Sequence, residues 1–201
     1  MLPNLSGKVA LCVGTSSAIG RAVANRLAFL QANVAVTVKD QYAGQAVVRD
    51  LKLINPEGNY EVISCDTTSM KSIDEACAEF GKVYGKLNYL VMSENTPDFK
   101  SRTLTTERID ERMALKYYSR IQCIRSLQSI MKETATTEEI RVLSILSGGT
   151  HGPYKHLEDL GLKKNYDLVS IENASGFYTD LAFDQMSREW GDGNFSWCNV
   201  P

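Results

Sequence analysis

Six short apolar runs, dense in β-branched residues, punctuate this chain: "KVALCV" (Lys8 to Val13), "NVAVTV" (Asn33 to Val38), "EVISC" (Glu61 to Cys65), "LNYLVM" (Leu87 to Met92), "IRVLSIL" (Ile140 to Leu146) and "FSWCNV" (Phe195 to Val200). Continuous apolar runs of about four to eight residues suit strands that are buried on both faces. Between them the pattern changes to helical spacing. Ile19, Val23, Leu27 and Leu30 share one face from Ile19 to Leu30, and Leu115, Tyr118, Ile121, Ile124, Leu127 and Met131 share another from Met113 to Met131. Strands alternating with helices predict an α/β fold, a doubly wound parallel sheet of Rossmann type with helices on both faces. No repeat, low-complexity tract or linker divides the chain, so residues 1–201 read as a single domain with a short C-terminal part. Ser147 to Lys164, "SGGTHGPYKHLEDLGLKK", reads as a loop over the sheet.

Composition narrows the setting. A chain of 201 residues with 43% hydrophobic and 23% charged content is that of one soluble globular domain. The net charge of -2 gives no electrostatic reason to expect nucleic acid or an anionic membrane as partner. No apolar stretch reaches the ~20 residues that would span a bilayer, and "MLPNLSGK" lacks the basic start and apolar core of a secretory signal. Five scattered cysteines without a CxxC pair read as small buried hydrophobes in a reducing compartment. The cytoplasm is the expected location.

The first strand runs into "LCVGTSSAIGRA" (Leu11 to Ala22). Gly14 follows the strand directly, and Gly20 falls in the first helical turn. The amides of such a turn and helix start point toward an anion, and Ser16 and Ser17 can add hydroxyl donors. A side chain at position 14 is expected to stand in the path of a bound pyrophosphate. Glycines also mark ordinary strand-to-helix turns, so the loop alone leaves both readings open.

With the alternating pattern around it, the chain resembles a short-chain dehydrogenase/reductase. "VGTSSAIG" (Val13 to Gly20) is similar to that family's TGxxxGIG turn, with Gly14, Ile19 and Gly20 matching and Val13 and Ala18 departing from it. "CDTTS" (Cys65 to Ser69) resembles the strand end whose aspartate holds the adenine, which implies that role for Asp66 with Thr67 beside it. "LSILSGG" (Leu143 to Gly149) resembles the fifth strand and its catalytic serine, which would be Ser147. "LEDLGLKKNY" followed by "YTDLAF" is similar to a branch found among fungal reductases of secondary metabolism. The resemblance implies a nicotinamide cofactor, a small-molecule substrate and a homo-oligomer.

Cofactor choice turns on the end of the second strand. An acid there receives ribose hydroxyls in NAD-preferring folds, whereas a basic residue suits a 2′-phosphate. Aligned from Gly14, the acid position holds Val38, followed by Lys39 and Asp40. Valine accepts no hydrogen bond and the lysine ammonium can pair with phosphate, so NADP is expected; a solvated Lys-Asp strand end is the alternative. The loop after the fourth strand reads "MSEN" (Met92 to Asn95) where the family has NNAG, and Lys116 stands where the family has its water-relaying asparagine.

The family's Tyr-x-x-x-Lys pair is missing. It sets a phenol and an ammonium one turn apart on a helix, and the ammonium lowers the phenol pKa from about 10. None of the nine tyrosines has lysine four residues later. Pro201 aligns with the Pro-Gly turn that leads into the family's substrate-covering segment, and counting back from it reaches Ser170 and Ile171. Tyr166, one turn earlier, is the candidate phenol and is expected to open the following helix; packing at a helix start is its alternative. His151 and His156 make neither a zinc site nor, with Ser147, a hydrolase dyad. Three functions stay open at this point. They are an NADP-dependent reductase of a small carbonyl or alcohol using Ser147 and Tyr166, a non-redox isomerase, cyclase or lyase, and an inactive binding subunit.

Overall fold

Strand formation follows the apolar runs closely. In the computed structural model, which describes residues 2–95, 101–146, 152–190 and 194–200, the strands are β1 (Val9–Val13), β2 (Asn33–Val38), β3 (Tyr60–Ser64), β4 (Tyr89–Met92), β5 (Ile140–Ile145) and β6 (Phe195–Val200). All five pairings are parallel, in the order β3-β2-β1-β4-β5-β6. The doubly wound parallel sheet expected from the sequence is therefore present. Every residue of β1 is buried, because a central parallel strand has helices over both of its faces.

Those helices are α1 (Ala18–Phe29), α2 (Gln41–Ile54), α3 (Met70–Val83), α4 (Glu111–Met113), α5 (Ser119–Ser126), α6 (Gln128–Ala135) and α7 (Leu168–Trp190). Side chains alternate across each strand and split the core into two layers. Leu11, Ala35, Ile63, Leu90 and Val142 pack with Ile73, Phe80, Ile124 and Leu127 on the α3–α5 side. Cys12, Val34, Val36 and Val91 pack with Ala24, Leu27, Val47 and Leu51 on the α1–α2 side. Each large aliphatic or aromatic side chain buried in this way contributes about 1.5–3 kcal/mol.

The single helix expected from Met113 to Met131 is interrupted twice. A π-helical segment, Ala114–Tyr118, separates α4 from α5, and the chain breaks again at Leu127 before α6. One extra residue per turn shifts the helix faces without disturbing the apolar spacing enough to be read from it. Residues 152–164 contain neither helix nor strand, in keeping with a loop there. Among the described residues no helix is long and apolar enough to cross a membrane.

At the N-terminal ends of the strands, opposite the Gly14 turn, Glu138 accepts from Lys8 at 2.7 Å, from Lys86 at 2.8 Å and from Asn88 at 2.9 Å. The Asn88 side-chain oxygen accepts from the Val9 amide, which ties β1 into the same cluster. The lysines pull the Glu138 carboxyl from its ordinary 4.5 to about 2, against the opposing effect of burial. A depressed folded-state pKa stabilises the fold above the unfolded value and is lost as pH falls through the folded one. The stability gap between the wild type and Glu138→Gln should therefore be full at neutral pH and close between pH 4.5 and about 2. Thermal melts of both proteins across that range test it, and a constant gap would show that the cluster carries no stabilising charge.

Candidate functional site

A cleft opens where the C-terminal ends of four strands meet. It is lined by Gly14, Ser16 and Ser17 after β1, by Thr37, Val38 and Lys39 at β2, by Cys65 to Thr68 after β3, by Glu94 and Asn95 after β4, and by Leu115 of the π segment. In this strand order β2 and β4 flank β1, which makes the cleft a topological switch point, where open α/β sheets bind their ligands.

The turn after β1 is held by close backbone contacts. Gly14 has φ +85°, in the left-handed region that favours glycine. A Cβ there would lie 2.5 Å from the Glu94 amide nitrogen and 2.8 Å from its Cα. A side chain at position 14 would thus strike the backbone after β4. Gly20, buried in α1, meets that same segment, since its Cβ would lie 2.5 Å from Ser93 Oγ. Ser17 caps α1, its Oγ accepting from the Gly20 amide at 3.0 Å. Ile19 is 55% exposed on α1 and does not line the cleft.

Lys39 and Asp66 face each other across the cleft rim at 2.6 Å. Asp66 Oδ1 also accepts from the Thr68 amide at 3.0 Å and from its hydroxyl at 2.6 Å. Burial opposes the Asp66 carboxylate, but Lys39 and Thr68 outweigh it and hold its pKa below the usual range; the same contact raises that of Lys39. Asp40 is directed elsewhere, since it caps α2 by accepting from the Tyr42 amide at 2.9 Å. Thr67 lines the cleft next to Asp66.

What lies beneath the rim is not legible in the sequence. Arg120, on α5, is wholly buried. It donates to the carbonyls of Met92 and Glu94 at 2.7 Å each, of Lys116 at 3.0 Å and of Ile145 at 3.2 Å. One guanidinium thus joins the ends of β4 and β5 to the helix that crosses them. The Glu94 carboxylate is buried beside it, with Oε2 3.8 Å from Arg120 Nη1 and Oε1 accepting from Ser119 at 2.9 Å. Two buried oxygens of cleft-lining residues, Thr37 Oγ1 and Glu94 Oε2, have no hydrogen-bond partner. Buried polar groups without partners are rare enough to count as candidate ligand or water contacts.

The expected catalytic side of the site is only partly in view. Ser147 and His151 lie outside the described residues, as does Pro201. Tyr166 is not at the cleft and does not open α7, which starts at Leu168; Asp167 receives the Ser170 amide and hydroxyl there. Its ring packs on a cluster of Met113, Tyr154, Leu162, Ile171 and Ala174, with the Arg102 guanidinium 5.8 Å from its centre. Burial, aided by Asp110, pushes its phenol up to about 12, the reverse of what a reactive phenol needs. Lys116 is buried and forms an ion pair with Glu172 of α7 at 2.8 Å. His156 is 3.7 Å from Glu158, and among the described residues no group of His, Cys, Asp or Glu could hold a metal ion.

Comparison with known proteins fits this geometry. The family model described as short chain dehydrogenase matches residues 8–158. The fungal protein Oxidoreductase AN1596 of Emericella nidulans is 29% identical over 189 residues, covering 93% of this chain and 55% of its own length. The chain spans about half the length of the curated relatives it matches. Among solved structures, a metagenomic short-chain oxidoreductase in complex with NADP superposes with TM-score 0.73 at 20% identity, over 97% of this chain and 81% of that one. NADH-dependent reductase A1-R′ complexed with NAD does so with TM-score 0.74 at 16% identity, over 97% and 78%. These two likenesses concern the fold.

Proposed function

This chain belongs to the short-chain dehydrogenase family, and we propose that it is an NADP-dependent oxidoreductase acting on a small carbonyl or alcohol compound. The observation that carries the reading is the cleft across β1 to β4, with a left-handed glycine turn at one side and a lysine at the end of β2. The residues present fit a dinucleotide. Gly14 lets the turn lie against the backbone after β4, Ser16 offers a hydroxyl, and Ser17 can still donate its proton while its oxygen caps α1. Val38 cannot accept from ribose hydroxyls, whereas the Lys39 ammonium can pair with a 2′-phosphate. The solved relatives include one with NADP and one with NAD, so Lys39, rather than the fold, favours NADP.

When bound, the nicotinamide supplies or accepts hydride. The chain's own part is to orient the ligand and to manage charge at the substrate oxygen. Ser147 is the candidate hydroxyl for that oxygen, by its place after β5. Lys116, held by Glu172, brings a buried cation to the π segment, in which the adjacent Leu115 lines the cleft. The similarity of "LEDLGLKKNY" and "YTDLAF" to fungal reductases supports a place in secondary metabolism. All five cysteines are free thiols, four of them buried, which suits the cytoplasm. Association into a homo-oligomer rests on the family match.

Titration of NADPH and NADH, followed by nicotinamide fluorescence, tests the reading. Lys39→Ala should weaken NADPH about tenfold or more, as expected for one charge-assisted contact, and leave NADH nearly unchanged. Equal weakening of both would remove Lys39 from the phosphate site.

A further inference from the structure

The Lys39–Asp66 pair is fixed by strand register. Val38 and Ser64 are partners in the parallel β2–β3 ladder, and the Cys65 amide donates to the Val38 carbonyl at 2.9 Å. The residues that follow, Lys39 and Asp66, therefore leave the sheet side by side. Their mobilities differ. The Asp66 amide donates to Ser72 Oγ at 2.9 Å, and one carboxylate oxygen is held twice by Thr68. The Lys39 side chain is 77% exposed, on a flexible four-carbon stem. The carboxylate is thus a fixed acceptor at the cleft rim, and the ammonium is the partner that can leave. Asp40, next in sequence, is occupied with the α2 cap and does not compete.

We infer that Asp66 is a specificity residue: by holding the Lys39 ammonium it competes with a ribose 2′-phosphate and limits the preference for NADP over NAD. This deepens the dinucleotide reading and rests on it. A ligand with a 2′-phosphate must draw Lys39 away from Asp66 or bring its own negative charge up to the pair. A ligand without the phosphate leaves the pair intact. The preference is then the strength of the Lys39–phosphate contact less that of the Lys39–Asp66 contact.

The experiment measures dissociation constants of NADPH and NADH for the wild type, Asp66→Asn, Lys39→Ala and the double variant. Asparagine keeps the side-chain shape and the acceptor for Thr68 while removing the charge. Any contact of Asp66 with the base is shared by both nucleotides and cancels in the ratio of affinities. Asp66→Asn should raise the NADPH-to-NADH affinity ratio by about two- to fivefold, the range spanned by exposed ion pairs. Added to Lys39→Ala, the same change should leave the ratio where it was. An unchanged or lowered ratio in Asp66→Asn, or an equal rise without Lys39, overturns the proposal. If Asp66→Asn melts early, Asp66→Ser gives the same ratio test. If the wild type bound neither nucleotide, the dinucleotide reading itself would fall and take this one with it, an outcome distinct from binding with an unaltered ratio.

Discussion

Arg120→Met is expected to lower the melting temperature by roughly 10 °C, since breaking a buried charge pair costs about 3–5 kcal/mol and each kcal/mol is worth about 2–4 °C at this chain length. Methionine fills much of the same volume but donates nothing. The carbonyls of Met92, Glu94, Lys116 and Ile145 each lose a donor, and the buried Glu94 carboxylate loses its counter-charge. Glu94→Gln should cost much less, because Arg120 keeps its four carbonyl contacts and Ser119 can still donate to the amide oxygen. Differential scanning calorimetry of the two variants separates the cases. Equal small losses would mean that solvent reaches Arg120 and that it does not organise the ends of β4 and β5.

How far the sequence carried can be judged at this same node. The six strands were legible because each is a short apolar run. β1, β2 and β4 are buried on both faces, and β3, β5 and β6, which are more exposed toward the sheet edges, still carry enough apolar residues to be read. Gly14, Ser16, Ser17, Lys39, Asp66 and Thr67 could be read as one neighbourhood because parallel topology brings successive strand ends to one edge. The Glu94–Arg120 pair could not. Its members lie 26 residues apart, and in a linear reading Glu94 is an interruption of a tight loop while Arg120 is one charge on a helix. Only the crossing of α5 under β4 and β5 shows that the helix buries a guanidinium at a position off its apolar spacing.

The helix that follows β5 shows the opposite difficulty. The register counted from Pro201 reaches Ser170, with Ala174 one turn later, yet both are buried on the inner face of α7. Ala174 packs among Met113, Tyr154, Leu162 and Ile171. A lysine placed there would bury its ammonium in an apolar cluster, at a cost no partner in that cluster offsets. The cation that does reach α7 comes from the other side, as Lys116 on the π segment paired with Glu172. Because the π turn alters which residues face α7, linear spacing places neither member.

The Gly14 turn offers the sharpest comparison, because Gly7 serves as its control. Both have positive φ, +77° and +85°. A Cβ at Gly7 would meet nothing within 4 Å, whereas one at Gly14 would lie 2.5 Å from the Glu94 nitrogen and 2.9 Å from the Ser93 carbonyl carbon. Gly7→Ala should therefore cost only the left-handed strain, about 1–2 kcal/mol. Gly14→Ala carries the same strain and must also push the backbone after β4 away from β1. That segment is pinned from below by Arg120 through the Met92 and Glu94 carbonyls, so it cannot yield without breaking buried hydrogen bonds. The expected result is a drop in melting temperature at least twice that of Gly7→Ala, with loss of NADPH and NADH binding in Gly14→Ala alone. Matching melting temperatures for the two alanine variants would show that the backbones after β1 and β4 do not approach as closely as this cleft requires.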